Sequence, residues 1–394
     1  MKEFIGVSEA KILLKNLPIT RVPIRLPLAE SLGKFTYSAI LAPMDVPSFD
    51  NSGMDGYALA FDDSGEGREV VDVVPAGAMP DFVLPQGKAV RIFTGAPVPK
   101  GADTVIQQEQ IERTGDMVFF DAEHFAKGAN VRKQGAQCRK GSEVVASGTQ
   151  ITPGTIGLLA SLGIQEVEVF SIPKISLILT GDEIIDLGYA LQPGQIYNAN
   201  GPALSAYLEL LGISGLRVFK AKDEPEEVTR VVAEALEASD ILLLTGGISV
   251  GDYDFVKDSL HQNGVEQLFY KVKQRPGKPL FAGKKGDKLV FALPGNPASV
   301  LSCFMQYVKP CMQHWMGNPA AWRSPQYLPI ARDFDKQADL TFFLKAKVES
   351  GRVVLLPGQE SFNLLPFGVA DGLVEVPQDQ NHVEEASLVA FYPW

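Results

Sequence analysis

Thr180-Gly181-Asp182-Glu183 follows directly on the apolar run ISLIL. Glycine there lets a ligand approach the backbone closely, and adjacent carboxylates can bind Mg2+ or accept hydrogen bonds from a heterocycle. The plainer alternative is a strand-ending turn whose Asp caps the next segment. A second string, Thr245-Gly246-Gly247-Ile248-Ser249-Val250-Gly251-Asp252-Tyr253-Asp254, follows DILLL and precedes a helix expected to begin near Phe255. Its glycines and Ser249 would present backbone N–H groups to an anion, helped by the partial positive charge of a helix N-terminus. Asp254 stands where a carboxylate could hold hydrated Mg2+ bridging phosphates, or where it would serve simply as an N-cap. The string contains neither GxGxxG nor GxxxxGK[ST], so it implies neither a dinucleotide fingerprint nor a P-loop.

A third string, Leu293-Pro294-Gly295-Asn296-Pro297-Ala298-Ser299, ends the run KLVFA and opens another helix. Before it, Arg275-Pro276-Gly277-Lys278-Pro279 sets two cations on a stiff turn. An Arg fork and a Lys point charge suit phosphate or another tetrahedral oxyanion, and a solvated surface loop is the bland reading. Further upstream, Asp55-Gly56 in the polar stretch 47–58 could be only a hairpin turn. Phe93-Thr94-Gly95-Ala96-Pro97 could be only a β-turn.

Elements must position these groups. After Pro173 the pattern alternates apolar strands with helices of ten to fifteen residues, which signals a parallel sheet covered on both faces. Ligands of such sheets bind at the carboxyl ends of the strands, where all three strings lie. The stretch up to about residue 42 is mixed, with an amphipathic opening helix. Residues 43–138 carry short apolar runs between Gly, Pro and Asp turns and read as a β-rich module. The following segment, to about residue 171, reads as strand, helix and strand, with Pro153 in the first helical turn. Beyond Gly317, TFFLKAKVESGRVVLLPG reads as a hairpin turning at Ser350-Gly351, and ASLVAFYPW as a last strand.

Composition narrows the function class. The chain has 394 residues, 45% of them apolar and 21% charged, with a net charge of −11. That length favours several domains. The acidic balance argues against a nucleic-acid coat, so an anionic ligand would need a local cationic pocket. No apolar run approaches the roughly eighteen residues of a membrane span, and the start lacks a signal-peptide pattern, so a cytoplasmic location is expected. Cys138, Cys303 and Cys311 lack CxxC spacing and the four histidines are scattered, which indicates neither a disulfide framework nor a Cys/His zinc site.

Taken in order, PSFDNSGMDGYAL, RIFTGAPVPKGADTVI, LTGDE with QIYNAN after it, TGGISVGDYDFVK, RPGKP and LPGNPAS resemble the MoeA family and the E domain of gephyrin. SFNLLPFGVADGLVEVP, from Ser361 to Pro377, resembles that family's last-domain signature. The similarity covers nearly the whole chain, and MDGYA, TGGxSVGxxD and LPGNP in this order are highly specific, although any one alone is weak.

The resemblance implies a multidomain α/β plus β subunit within a homodimer. Its parts would be a MogA-like three-layer α/β domain (1–21 and 172–317), an elongated connector domain (22–42 and 139–171), a β-rich domain (43–138) and a small C-terminal β-barrel-like domain (318–394). It implies that adenylylated molybdopterin and molybdate react, assisted by Mg2+ or Zn2+, with release of AMP. Matching catalytic positions are Asp55, Thr94, Glu183, Asp254, Lys278 and Arg275, with Asp254 and Asp55 as metal ligands. Thr180, Gly181, Asp182, Gly246, Gly247, Ser249, Gly251, Pro294, Gly295 and Asn296 would bind the pterin nucleotide. Contacts with a molybdopterin adenylyltransferase and with molybdoenzyme maturation proteins also follow from the resemblance. The chain departs from the family at Gln137, where a carboxylate is usual, and at Arg275, Asn198 and Ala199. The competing functions are a non-catalytic cofactor scaffold, which the Gln137 change would allow, and a pterin adenylyltransferase, because the α/β domain resembles that of the adenylylating enzymes.

Overall fold

Six strands carry the candidate chemistry in a sheet of order Arg217–Ala221, Ile175–Thr180, Ile241–Thr245, Lys288–Leu293, Phe281–Lys285 and Glu266–Tyr270. In this computed structural model, which describes residues 3–62, 64, 66–248 and 255–394, the first four strands are parallel. Their register sets Leu179 opposite Thr245 and Thr245 opposite Leu293, so three motif-bearing ends lie level along one edge.

Alternation explains the layers. Leu177 and Leu179 point to one face and pack with Leu204, Leu208, Val300 and Phe304, while Ile178 points to the other and packs with Val228, Val231 and Leu260. Both faces are therefore apolar, and Ile175–Thr180 is buried throughout. The helices Asn200–Leu210 and Pro297–Cys303 cover the first face, and Pro225–Ala238 and Phe255–Gln262 the second. Proline at the start of Pro225–Ala238 and Glu226 and Glu227 in its first turn suit a helix N-terminus.

Two features differ from the sequence expectation. The sheet is not purely parallel, because Glu266–Tyr270 and Phe281–Lys285 join antiparallel. The latter pairs with Lys288–Leu293 as a hairpin, Lys285 opposite Lys288, and such a tight turn needs no crossover helix to reveal it in sequence. The stretch after LPGNP is also not one uniform helix. It widens to a π-helical turn at Phe304–Val308 before Lys309–Trp315, and Pro310, which lacks a backbone donor, sits just past that widening.

The chain divides into two units, one of Met1–Leu26, Gly33–Tyr37 and Glu168–Trp394, the other of Pro27–Leu32 and Ser38–Val167. Within the first, a second sheet runs in the order Gln274–Arg275, Thr341–Glu349, Gly372–Val376, Leu388–Pro393 and Gln326–Pro329. Arg352–Leu355 pairs with Thr341–Glu349 through the expected hairpin, whose Ser350 and Gly351 both adopt positive φ as a two-residue turn requires. Pairing of Gln274–Arg275 with Thr341–Phe342 ties the RPGKP turn to this sheet.

The second unit holds a six-stranded sheet of order Thr104–Gln107, Gly56–Leu59, Lys88–Ile92, Arg68–Val74, Met117–Phe119 and Glu112–Thr114. Its helix Pro153–Ser161 begins as expected, with the Thr152 side chain accepting from the Thr155 N–H at 3.2 Å. Among the described residues, no helix is long and apolar enough to cross a membrane.

Candidate functional site

Three of the predicted strand ends meet. A Cβ placed on Gly246 would lie 2.5 Å from the Thr180 carbonyl oxygen, and one on Gly295 would lie 3.8 Å from the Gly246 Cα. Gly246 has a φ of 89° as well, so both the conformation and the close approach demand glycine there. Thr180 donates from Oγ1 to the Thr245 carbonyl at 3.4 Å, closing the first two ends together. Ile248 is buried against the second face of the sheet. Ser249, Gly251 and Asp254, with Asp252, lie outside the described residues.

The fourth participant is QIYNAN. Ile184–Ile185 pairs with Ile196–Tyr197, which joins the LTGDE turn to that string. Asn198 accepts from the Gly201 N–H at 2.9 Å, and Asn200 donates from Nδ2 to the Gly295 carbonyl at 3.0 Å. Asn200 was not among the residues singled out from sequence. Its signal was present, since an Asn at a helix start two residues after another Asn is an unusual density of amides.

Asp182 and Glu183 are exposed. Asp223, unremarked in the sequence, joins them: burial and the nearby charges of Glu183 and Asp182 raise its carboxyl above the usual range. Among the described residues, no three His, Cys, Asp or Glu side chains form a metal-binding group.

The two cations of RPGKP are exposed on a rigid turn. Buried Gln274 holds it, donating from Nε2 to the carbonyls of Pro276 (3.2 Å) and Gly277 (3.0 Å) and accepting from the Tyr307 hydroxyl. The Gly277 backbone approaches the helix after LPGNP, since a Cβ there would meet Cys303 Sγ at 2.4 Å. Lys278 is thereby fixed at its backbone while its ammonium has no hydrogen-bonded partner among the described residues. Arg275 lies 5.6 Å from the Phe342 ring centre and borders a cavity of about 230 Å3 together with Gln359 and Glu360. A larger cavity, about 600 Å3, is lined by Lys11, Gln306, Lys309 and Trp322 and includes none of the motif residues. Convergent polar groups identify a site better than volume does, so the strand ends are the candidate.

Asp55 and Thr94 belong to the second unit and form a pair of their own. Thr94 donates to Asp55 Oδ1 from its backbone N–H (2.7 Å) and from Oγ1 (2.8 Å). Those two bonds, then the Arg91 charge, hold the Asp55 carboxyl below its ordinary value. Thr94 does sit in a turn, with the Ala96 N–H donating to the Phe93 carbonyl at 2.9 Å, yet the turn also aims two donors at one carboxylate. Asp55-Gly56 is not a hairpin turn: Gly56 opens a strand whose backbone passes so near Ile106 that a Cβ would lie 2.0 Å from its carbonyl oxygen. Sequence reasoning missed Arg91, which donates to the Gly56 carbonyl at 2.9 Å. Gln137 is exposed and donates its N–H to the Val46 carbonyl at 2.8 Å.

Comparison with known proteins places these features. Residues 5–163 match a model of the MoeA N-terminal region, domains I and II; 176–314 match one described as "Probable molybdopterin binding domain"; 327–394 match the MoeA C-terminal region, domain IV. A molybdopterin molybdenumtransferase of Staphylococcus aureus is 34% identical over 387 residues, covering 92% of each chain. The chain belongs to the MoeA family. Another relative, the molybdopterin molybdenumtransferase of Bacillus subtilis, is 35% identical over 84% of this chain and 80% of its own. A crystal structure of a MoeA molybdopterin biosynthesis protein from Pyrococcus horikoshii superposes over all of both chains with a TM-score of 0.86 at 29% identity. This MoeA-family chain thus has the multidomain α/β plus β architecture expected from its sequence.

Proposed function

We propose that this chain is a molybdopterin molybdenumtransferase: it inserts molybdate into adenylylated molybdopterin and releases AMP, the last step of molybdenum cofactor biosynthesis. The observation that carries the reading is the meeting of Thr180, Gly246 and Gly295 at level strand ends, where backbone can approach a phosphate-bearing ligand. Arg275 and Lys278 on their rigid turn supply the local positive charge that an anionic ligand needs on a chain of net charge −11. Their role is to hold the phosphate and molybdate oxyanions and to offset charge developing on the AMP leaving group. Glu183 and Asp182 accept hydrogen bonds from the pterin, and Asp55, kept ionised by Thr94, orients the attacking oxygen.

Mg2+, with Zn2+ as the alternative, is the assisting ion in this reading, because carboxylates such as those of Asp55 and Asp254 are hard oxygen donors. Bound there, the ion would neutralise phosphate and oxyanion charge. The same reading carries the four-part domain division, a homodimer, a cytoplasmic location and contacts with a molybdopterin adenylyltransferase and molybdoenzyme maturation proteins.

AMP release from adenylylated molybdopterin, measured with Mg2+ and with or without molybdate, tests the proposal. Molybdate-dependent release is expected. Binding without release would make the chain a scaffold, an outcome that Gln137 would then explain, and ATP consumption with molybdopterin would make it an adenylyltransferase.

A further inference from the structure

The helix that opens at LPGNP carries a second set of polar groups away from the strand ends. It runs from Pro297 through the π-helical turn Phe304–Val308 into Lys309–Trp315, and its later turns line the cavity of about 600 Å3. At about 1.5 Å of rise per residue, Gln306 stands roughly 15 Å along the helix from Asn296. The other walls come from the helix Val7–Lys15, from residues 320–326 and from the end of the last strand. A volume of this size suits a small-molecule site, for which about 300–1,000 Å3 is usual.

Charge at this cavity runs against that of the chain. Lys11, Lys15, Lys309 and Arg323 border it, and among the described residues no carboxylate does, although the net charge is −11. Lys11 is already engaged, donating to Glu375 at 3.2 Å and to the Tyr392 hydroxyl at 3.1 Å. Lys15, Lys309 and Arg323 have no ion-pair partner among the described residues. Burial holds the Lys309 ammonium below its ordinary value, so an anion beside it is attracted more strongly than at a fully solvated lysine.

Two walls also hold donors without acceptors. Gln306 is 2% exposed and its Nε2 has no partner among the described residues, and the buried Nε1 of Trp322 has none either. A buried donor left unpaired costs free energy that an acceptor on a ligand recovers. Gln306 sits in the π-helical turn, a departure from regular helix that recurs at functional sites. The remaining surface is apolar, with Met305 and Ala321 buried and Ile12 57% exposed. We propose that this cavity binds a small molecule with a flat apolar body and one anionic group, the body lying against Ile12, Met305 and Trp322 and the anion met by the unpaired cations. The site is separate from the strand ends and does not rest on the transferase reading.

The experiment titrates the full-length chain with two fluorescent probes that share one aromatic body: anilinonaphthalene sulfonate, which carries an anion, and phenylnaphthylamine, which does not. The wild type is expected to bind the sulfonate at least about tenfold more tightly than the amine. K309Q and R323Q should each weaken sulfonate binding by about tenfold and leave amine binding within about twofold. Q306L removes the unpaired donor, so it should weaken sulfonate binding while the melting temperature stays or rises, whereas a purely structural Gln306 would lower the melting temperature and leave binding alone. Saturating adenylylated molybdopterin should not displace the sulfonate. Equal affinity for the two probes, sulfonate binding unmoved by K309Q and R323Q, or displacement by adenylylated molybdopterin overturns the proposal. Should K309Q fail to fold, R323Q decides, because Arg323 is exposed: an unchanged sulfonate affinity there refutes the site.

Discussion

Asn200 spends its Nδ2 on the Gly295 carbonyl, 3.0 Å away, and so fastens the helix after QIYNAN to the LPGNP strand end. At 8% exposure its Oδ1 has no partner among the described residues. A buried acceptor left without a donor costs free energy, and an N–H of a bound heterocycle would recover it.

Asn200→Ala should therefore cost binding more than folding. We expect a loss of about 1 kcal/mol in stability by urea unfolding, since water can replace one donor at the exposed Gly295, and a KM for adenylylated molybdopterin raised about tenfold. An unaltered KM would show that Asn200 only braces the turn.

Gly246→Ala and Gly295→Ala separate packing from binding. The first forces a Cβ to within 2.5 Å of the Thr180 carbonyl at a φ of 89°, so a stability loss of at least about 2 kcal/mol is expected. The second meets nothing nearer than 3.8 Å and should leave the melting temperature in place while weakening substrate binding. Equal stability losses in both variants would contradict this division.

Much of this site was readable because strand ends announce themselves: an all-apolar run such as Ile241–Leu244 followed by Thr245 and two glycines fixes both an element and its ligand-facing end. The pairing of Asp55 with Thr94 was not readable, because it depends on a fold that brings positions 39 apart in the chain to one carboxylate. Asp223, Arg91 and Lys345 were missed for the same reason. Each looks like an ordinary charged residue on its own strand or loop, and only long-range packing gives it a carboxylate neighbour, a carbonyl of another strand or three carbonyls of a loop. The antiparallel strands Glu266–Tyr270 and Phe281–Lys285 escaped notice because their polar ends break the apolar run that marks the parallel ones.

Asp55 offers a test by titration. Its carboxyl is held below the ordinary value by the two Thr94 bonds, so the pair is intact at neutral pH and is lost as pH falls through that lowered value. Thr94→Val removes one of the two donors while the backbone N–H stays, and should move the Asp55 carboxyl carbon titration in NMR upward. Asp55→Asn should lower AMP release at least about a hundredfold with little change in melting temperature, because the side chain is exposed. A full release rate in Asp55→Asn would remove Asp55 from the chemistry.

Lys345, buried in the Thr341–Glu349 strand with its Nζ donating to the carbonyls of Gly358 (2.9 Å), Glu360 (3.2 Å) and Asn363 (3.4 Å), makes the stability of the chain respond to alkaline pH. Burial pushes its ammonium down to about 8 from an ordinary 10.5, with the Glu360 charge opposing. Between those values the unfolded chain binds more protons than the folded one, so stability contributed by this group rises with pH, is complete above 10.5, and is lost as pH falls through about 8. Lys345→Met has no such proton to exchange. In urea unfolding at increasing pH across that window, the wild type should gain on the variant by at most about 1 kcal/mol per pH unit. A difference that stays constant across the window would mean that the three carbonyls retain the proton as firmly as water does.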